Sequence, residues 1–364
     1  MPFFLMFLII VTGGTVDISV HEKNPDGTLK ELHRPSGGPW GGTTVDNHYI
    51  AWLTTMFGKS AMKKLTDKAM EDYFDILRVF ENKKRTLMAD SNEDITFKLA
   101  LSLNNYSKNS EEEGIESVIT RLQLEGKVKF LGDKIRVSAD IAKSWFQESI
   151  DGTIQHLTEL LAEPAMIDVT SIILVGGFAE SKLVQDAVKT AFKDRTVIIP
   201  EEAGLAVLKG AVLFGHRPRY VSSRCVQFTY GYGVSRPFDD SKHPLEKLCI
   251  NSYGDRMANN CFEKVVEIGT SVDVGKDIKA PSALYRQKHK EENLYIYTST
   301  DRKPEYITEP SCTKVGELKL GQATGETKDD NRVHVYFTFG DTELKATVKF
   351  LKTGKFVSGT IDCL

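Results

Sequence analysis

The sequence predicts an α/β domain followed by a β-rich one, and three observations carry that prediction. Residues 171–214 run as buried strand, glycine turn, amphipathic helix, short strand and second helix, the order of a largely parallel layered domain. Two strand-like segments near the start, 3–11 and 15–20, flank Gly13-Gly14. Beyond residue 221 long helical patterns become scarce and short alternating runs take over.

Each element follows from local pattern. Residues 1–11, MPFFLMFLIIV, are continuously apolar but shorter than the roughly 20 residues that span a bilayer. They have neither a basic leader nor a small-residue cleavage site, so they read as a buried strand, with a signal peptide as the alternative. Asn24-Pro25-Asp26-Gly27 is a turn, which makes the stretch to about residue 39 a β-hairpin. Ser36-Gly37-Gly38-Pro39-Trp40-Gly41-Gly42 is a loop that opens a helix with Val45, Tyr49, Ile50, Leu53 and Phe57 on one stripe. Residues 61–88 are helical and dense in charge. Residues 95–103 and 128–137 read as strands, and the polar run 104–114, with Glu111-Glu112-Glu113, as a solvated loop. A long helix starts at 137–140 and reaches 161, with a break near Asp151-Gly152 and Ile141, Trp145, Ile150, Ile154 and Leu157 on one face.

Next come the strand 171–175, the turn Gly176-Gly177-Phe178, the helix 181–192, the strand 197–199 ended by Pro200, and the helix 201–214. After His216-Arg217-Pro218, strands at 226–230, 294–298, 333–339, 344–350 and 356–361 predict a sandwich or partial barrel. Turn clusters such as Gly340-Asp341 and Lys352-Thr353-Gly354 separate them.

Composition narrows the function. A chain of 364 residues has room for a sizeable core. Lys plus Arg is 47 against 50 Asp plus Glu, a net charge of −3, which argues against a general nucleic-acid binder. A hydrophobic share of 41% argues against disorder. The cysteines Cys225, Cys249, Cys261, Cys312 and Cys363 form no CxxC pair and read as reduced thiols of a cytosolic protein. Histidines are scattered without an HExxH, so a metal site has little support. There is no GxxxxGK[ST] and no GxGxxG, which argues against a P-loop or Rossmann site.

Three glycine turns remain: Gly13-Gly14-Thr15, Gly37 to Gly42, and Gly176-Gly177. Backbone N–H groups at such turns can cradle phosphate, although a Gly-Gly turn alone is more often structural. Taken together with their neighbours they point further. Gly13-Gly14-Thr15-Val16-Asp17 resembles the second phosphate motif of the actin, hexokinase and 70-kDa heat-shock ATPases. Leu174-Val175-Gly176-Gly177-Phe178 resembles their adenosine motif, and Pro200-Glu201-Glu202-Ala203 with Lys209-Gly210-Ala211 the segment after it. Glu81-Asn82-Lys83-Lys84-Arg85-Thr86-Leu87 is similar to the helix that grips adenine and ribose in the chaperones. The order of the four is the family's. Thr15 to Glu22, Trp40-Gly41-Gly42, Gly176 to Ser181, Thr229-Tyr230-Gly231-Tyr232-Gly233-Val234 and Phe339 to Leu344 resemble the divergent heat shock 70 kDa protein 12A/12B branch.

The resemblance implies the second lobe of an actin-like (ribonuclease H-like) ATPase domain over 1–218, with an α+β insertion at about 45–140. A β-rich domain resembling the chaperone substrate-binding β domain would follow over 219–364. It implies ATP or ADP as ligand, with magnesium, and clients or other protein partners. Gly13, Gly14 and Thr15 would face the phosphates; Glu81, Lys84 and Arg85 the nucleoside; Gly176, Gly177 and Phe178 the other wall; Glu201 the base. Taken alone, Glu81, Lys84 and Arg85 would read as a solvated helix face.

Two departures limit the expected activity. Family-like sequence begins at the second phosphate motif, so the first lobe with its catalytic lysine and water-positioning acid is expected to be missing. Ile10 and Thr12 stand where the family has an acidic residue and a glycine. Phosphoryl transfer rests on positioning and charge neutralisation, so weak nucleotide binding without competent hydrolysis is expected. The surface left by the missing lobe would expose apolar residues and favour self-association. The alternative is a scaffold protein whose old pocket is structural; a small-metabolite kinase of the same superfamily is weaker, because the β tail and the 81–87 helix favour the chaperone branch.

Overall fold

The computed structural model describes residues 4–109, 113–217, 220–286, 291–323, 327, 329–340 and 343–362. Of the residues singled out above, Glu111, Glu112, Pro218, Asp341, Thr342 and Cys363 lie outside these, as do positions 1–3. Two compact units make up the chain, residues 1–20 with 36–213 and residues 21–35 with 214–364.

The chain begins with β1 (Phe4–Val11), β2 (Val16–Lys23) and β3 (Leu29–Gly38). Then come α1 (Gly42–Phe57), α2 (Lys59–Lys68), α3 (Met70–Thr86), β4 (Ile95–Lys98), α4 (Leu101–Lys108) and α5 (Ile115–Arg121). A hairpin of β5 (Val128–Phe130) and β6 (Lys134–Val137) leads to α6 (Ala139–Ser144) and α7 (Gln147–Leu161). Finally β7 (Ser171–Val175), α8 (Lys182–Ala191), β8 (Thr196–Ile198) and α9 (Ala203–His216) complete the α/β layer.

In the first unit the strand order is β2-β1-β7-β8. The apolar first segment is a strand in the middle of this sheet: β1 pairs parallel with β7 from Met6↔Ser171 to Ile10↔Val175, burying Phe7, Ile9 and Val11. Parallel pairing of β7 with β8 extends the layer, as the strand–turn–helix–strand pattern predicts. Between α1 and α6 the chain builds its own small core. A three-stranded sheet β4-β6-β5 packs near an aromatic cluster in which Tyr49 stacks on Phe80 at 4.0 Å and meets Trp145 edge-on at 5.2 Å.

Several details differ from the sequence expectation: residues 61–88 are two helices that part at Ala69, and 226–228 join two strands instead of forming one with 229–230. Residues 101–108 are helix α4, not strand or loop, because Leu103 and Ser107, four apart, supply a buried face. The stretch 128–137 is a two-stranded hairpin rather than one strand. The helix from 139 breaks at Trp145-Phe146 and not at Gly152. Gly152 sits inside α7 because the Trp40 indole lies against it, where any Cβ would collide.

The second unit holds the strand residues Leu29 and Lys30 of β3, paired parallel with β9 (Val221–Cys225). It continues with β10 (Thr229–Pro237), β11 (Leu248–Ile250), β12 (Arg256–Val266), β13 (Ser271–Asp273), β14 (Asp277–Lys279) and β15 (Leu284–Tyr285). Last come β16 (Glu291–Ser299), β17 (Cys312–Gln322), β18 (Arg332–Phe339), β19 (Glu343–Phe350) and β20 (Phe356–Asp362). One sheet runs β11-β12-β10-β16-β17 and another β14-β18-β19-β20, with β15 also on β18. Inward residues of both, Tyr232, Ile296 and Leu318 from one and Val335, Phe337 and Ala346 from the other, form a common core. This is a sandwich, and the alternating burial of β18 shows why its strands were readable.

Candidate functional site

The β1–β2 turn is tied by its own hydroxyls. Thr12 N donates to the Thr15 carbonyl at 2.9 Å, Thr15 N donates to Thr12 Oγ1 at 3.0 Å, and Thr15 Oγ1 donates to Asp17 Oδ2 at 2.9 Å. The start of α1 closes on this turn. Gly42 N donates to the Thr12 carbonyl at 3.1 Å and Thr43 N to the Gly13 carbonyl at 2.5 Å. Two of the free amides that open a helix are therefore consumed by the turn rather than offered to an anion. Gly41 lies so close to Gly13 and Gly14 that a side chain there would strike their backbone.

The wall from α3 is set by charge. Lys84 is buried, 6% exposed. Its ammonium donates to Asp46 Oδ1 at 2.7 Å and to the Gly42 carbonyl at 3.4 Å, and pairs with Glu81 Oε2 at 2.7 Å. Those three acceptors use its three hydrogens, so Lys84 ties α3 to α1 and is not presented to a ligand. Burial pushes the Asp46 carboxyl above its usual range, against the pull of Lys84. Burial would also raise Glu81, but hydrogen bonds from Lys84 and Arg85 outweigh it and hold that carboxyl below its usual range. Arg85 is half exposed, giving its Nε to Glu81 Oε1 at 2.8 Å and an NH1 to Glu180 Oε2 at 3.3 Å.

The opposite wall follows β7. Gly176 has φ +101°, and a Cβ there would also strike the Val11 carbonyl. Only glycine meets both demands. Its N–H donates to the Ala203 carbonyl at 2.8 Å, which fixes the start of α9. Phe178 follows, buried, stacked on Phe146 at 6.1 Å, with Lys84 Nζ 5.6 Å from its ring centre. Its ring also closes on Gly42, where an added Cβ would lie 3.3 Å away. Glu180 then reaches Gly204 N at 3.2 Å. Beside it Glu180, Lys182, Gln185, Ile199, Pro200 and Glu201 help to line a cleft of about 490 Å³.

The residues singled out from sequence thus lie in one unit. Thr12 to Thr15 meet the start of α1; Lys84 and Phe178 meet at Gly42; Arg85 reaches Glu180, which shares the cleft with Glu201. Glu201 lines that cleft without being brought against the other nine. Asp46, Glu180 and Gly204 were missed as participants; Glu180 stood inside a quoted motif, but nothing local gave its two partners.

The glycine turns leave open space beside these walls. Gly14 and Gly177 face open space, with nothing within 4 Å of an added Cβ, and Gly13 is nearly as open. Among the described residues no group of three His, Cys, Asp or Glu converges on one point.

Comparison with known proteins sets the class and then the branch. No protein-family model matches the chain. It is 27% identical over 213 residues to Chaperone protein DnaK of Mycoplasmopsis synoviae (strain 53), covering 56% of this chain and 31% of that protein. Similarity is greater and longer to Heat shock 70 kDa protein 12A of Mus musculus, 34% over 357 residues, and to Heat shock 70 kDa protein 12B of Homo sapiens, 33% over 363 residues. Each match covers 97% of this chain and 53% of the relative. The chain is similar to the heat shock 70 kDa proteins 12A and 12B over nearly its whole length, and spans about half the length of the curated relatives it matches.

Proposed function

We propose that this chain is a chaperone-related protein that binds an adenine nucleotide, ATP or ADP, in the first unit, weakly and without competent hydrolysis. The observation that carries the reading is the convergence of three chain segments, 12–15, 81–85 and 176–180, around open glycines beside a cleft of about 490 Å³, a volume suited to a small ligand. The β1–β2 turn would hold phosphate through the backbone N–H groups of Gly13 and Gly14, that of Thr15 being spent on Thr12. Arg85 would contact the nucleoside, Gly177 and Phe178 would wall it, and Glu201 would lie towards the base. Magnesium would arrive on the phosphates, largely hydrated. Hydrolysis is not supported at this turn: Thr12 spends its hydroxyl on Thr15, and Ile10 offers no acceptor for a metal-bound water.

The second reading is an interaction protein whose pocket is architecture. It is favoured by Lys84, whose donors are all spent within the fold. Exposed Leu205, Leu208, Val212 and Leu213 on α9 support self-association or another protein partner. The sandwich, as a β domain of the chaperone kind, would offer its strands to client peptides. A cytosolic location is proposed from the cysteine pattern; among the described residues no helix is long and apolar enough to cross a membrane.

Amide hydrogen exchange with and without Mg-ADP separates the two readings. Protection at residues 12–15 and 81–85 is the expected result. Exchange that Mg-ADP leaves unchanged in both segments supports the interaction protein.

A further inference from the structure

We propose that Glu180 competes with bound nucleotide for Arg85 and so sets the affinity of the site. The inference rests on the nucleotide reading above and adds a residue that opposes binding.

Glu180 uses its two carboxylate oxygens in different directions. Oε1 accepts from Gly204 N at 3.2 Å. Gly204 lies in the first turn of α9, where Glu180 adds to the negative charge of Glu201 and Glu202 just ahead of the helix. The fit is close: a Cβ at position 204 would lie 2.5 Å from Oε1. Oε2 turns the other way and pairs with Arg85 NH1 at 3.3 Å. Arg85 is also held by Glu81 Oε1 at 2.8 Å. The result is a continuous bridge, Glu81–Arg85–Glu180–Gly204, from the end of α3 to the start of α9 along the cleft that Glu180 and Glu201 line.

That bridge has a consequence for an anionic ligand. In the free protein the exposed guanidinium at this wall is shared between two carboxylates. A nucleotide whose polar groups take the Arg85 N–H that Glu180 holds displaces that carboxylate. That exchange acts against binding, while the bond to Gly204 runs through the other oxygen of the same carboxylate.

Glu180→Gln separates the two roles. The amide oxygen still accepts from Gly204 N–H, while the charge that holds Arg85 is gone. Calorimetry with Mg-ADP should show binding about two- to fivefold tighter than in the unaltered chain, the range expected for releasing one partly exposed ion pair. Glu180→Asp keeps the charge but withdraws it from Arg85 by one methylene, and should fall between the two. Far-ultraviolet circular dichroism should be the same in all three. Equal or weaker binding by the correctly folded Glu180→Gln variant overturns the competition and leaves the nucleotide site standing. Should that variant disturb the fold, Glu180→Asp decides alone: tighter binding supports the competition and unchanged or weaker binding overturns it. Absence of binding in every form, the unaltered chain included, overturns the nucleotide reading and the competition with it.

Discussion

Lys84 shows how much a single side chain is asked to do here. An ammonium only 6% exposed is kept in place by Asp46 and Glu81, at 2.7 Å each, and by a helix-start carbonyl. Lys84→Met keeps the stem's bulk but leaves Asp46 half-buried without its cation. The expected loss is about 1–3 kcal/mol, read as a lowered urea midpoint with unchanged slope. An unaltered midpoint would mean that the charge cluster contributes nothing net. The sequence made the three members of the 81–85 segment legible, because they are close in the chain. It concealed their partners: Asp46 is 38 residues from Lys84, and Glu180 is 95 residues from Arg85. Such pairs are set by packing of α1, α3 and the β7 turn, and no local pattern encodes them.

Elements were legible where one face is buried and the period is clean. The 171–175 strand, its glycine turn and the following helix form as expected. Where tertiary neighbours decide, the reading failed. Gly152 looked like a helix break and proved to be the seat of Trp40. β12 was missed because register shifts against β10 spoil its alternation, and β17 because Gly316 and Gly321 interrupt it. A buried carboxyl on β3 gives this scale its pH dependence. Burial pushes Glu31 up to about 7, with Arg224 and the Cys225 backbone N–H pulling the other way; Oε1 has no hydrogen-bond partner. The folded state therefore binds this proton more tightly than an unfolded chain at 4.5. Its stabilising contribution is complete below pH 4.5 and is lost as pH rises through about 7. Glu31→Gln should flatten that part of the decline in urea midpoint between pH 5 and 8. An identical pH profile in the variant would contradict the assignment.

At the scale of the molecule, two kinds of packing coexist. The first unit layers helices on a largely parallel sheet and gathers the candidate site; the second is a sandwich with its own apolar core. The change from α/β to β-rich sequence near residue 220 was legible because long helical stripes give way to alternation. The passage of residues 21–35 into the second unit was not, since a hairpin carries no sign of which core will receive it. The proposed nucleotide site belongs wholly to the first unit and should not depend on strand order in the sandwich. Isothermal titration with Mg-ATP and Mg-ADP, beside an Arg85→Ala control, tests that claim most directly. The account predicts measurable weak binding of both nucleotides, reduced about tenfold or more in the control, as for loss of a charged hydrogen-bond donor. Absence of heat at high protein concentration, or equal binding by the control, would contradict it.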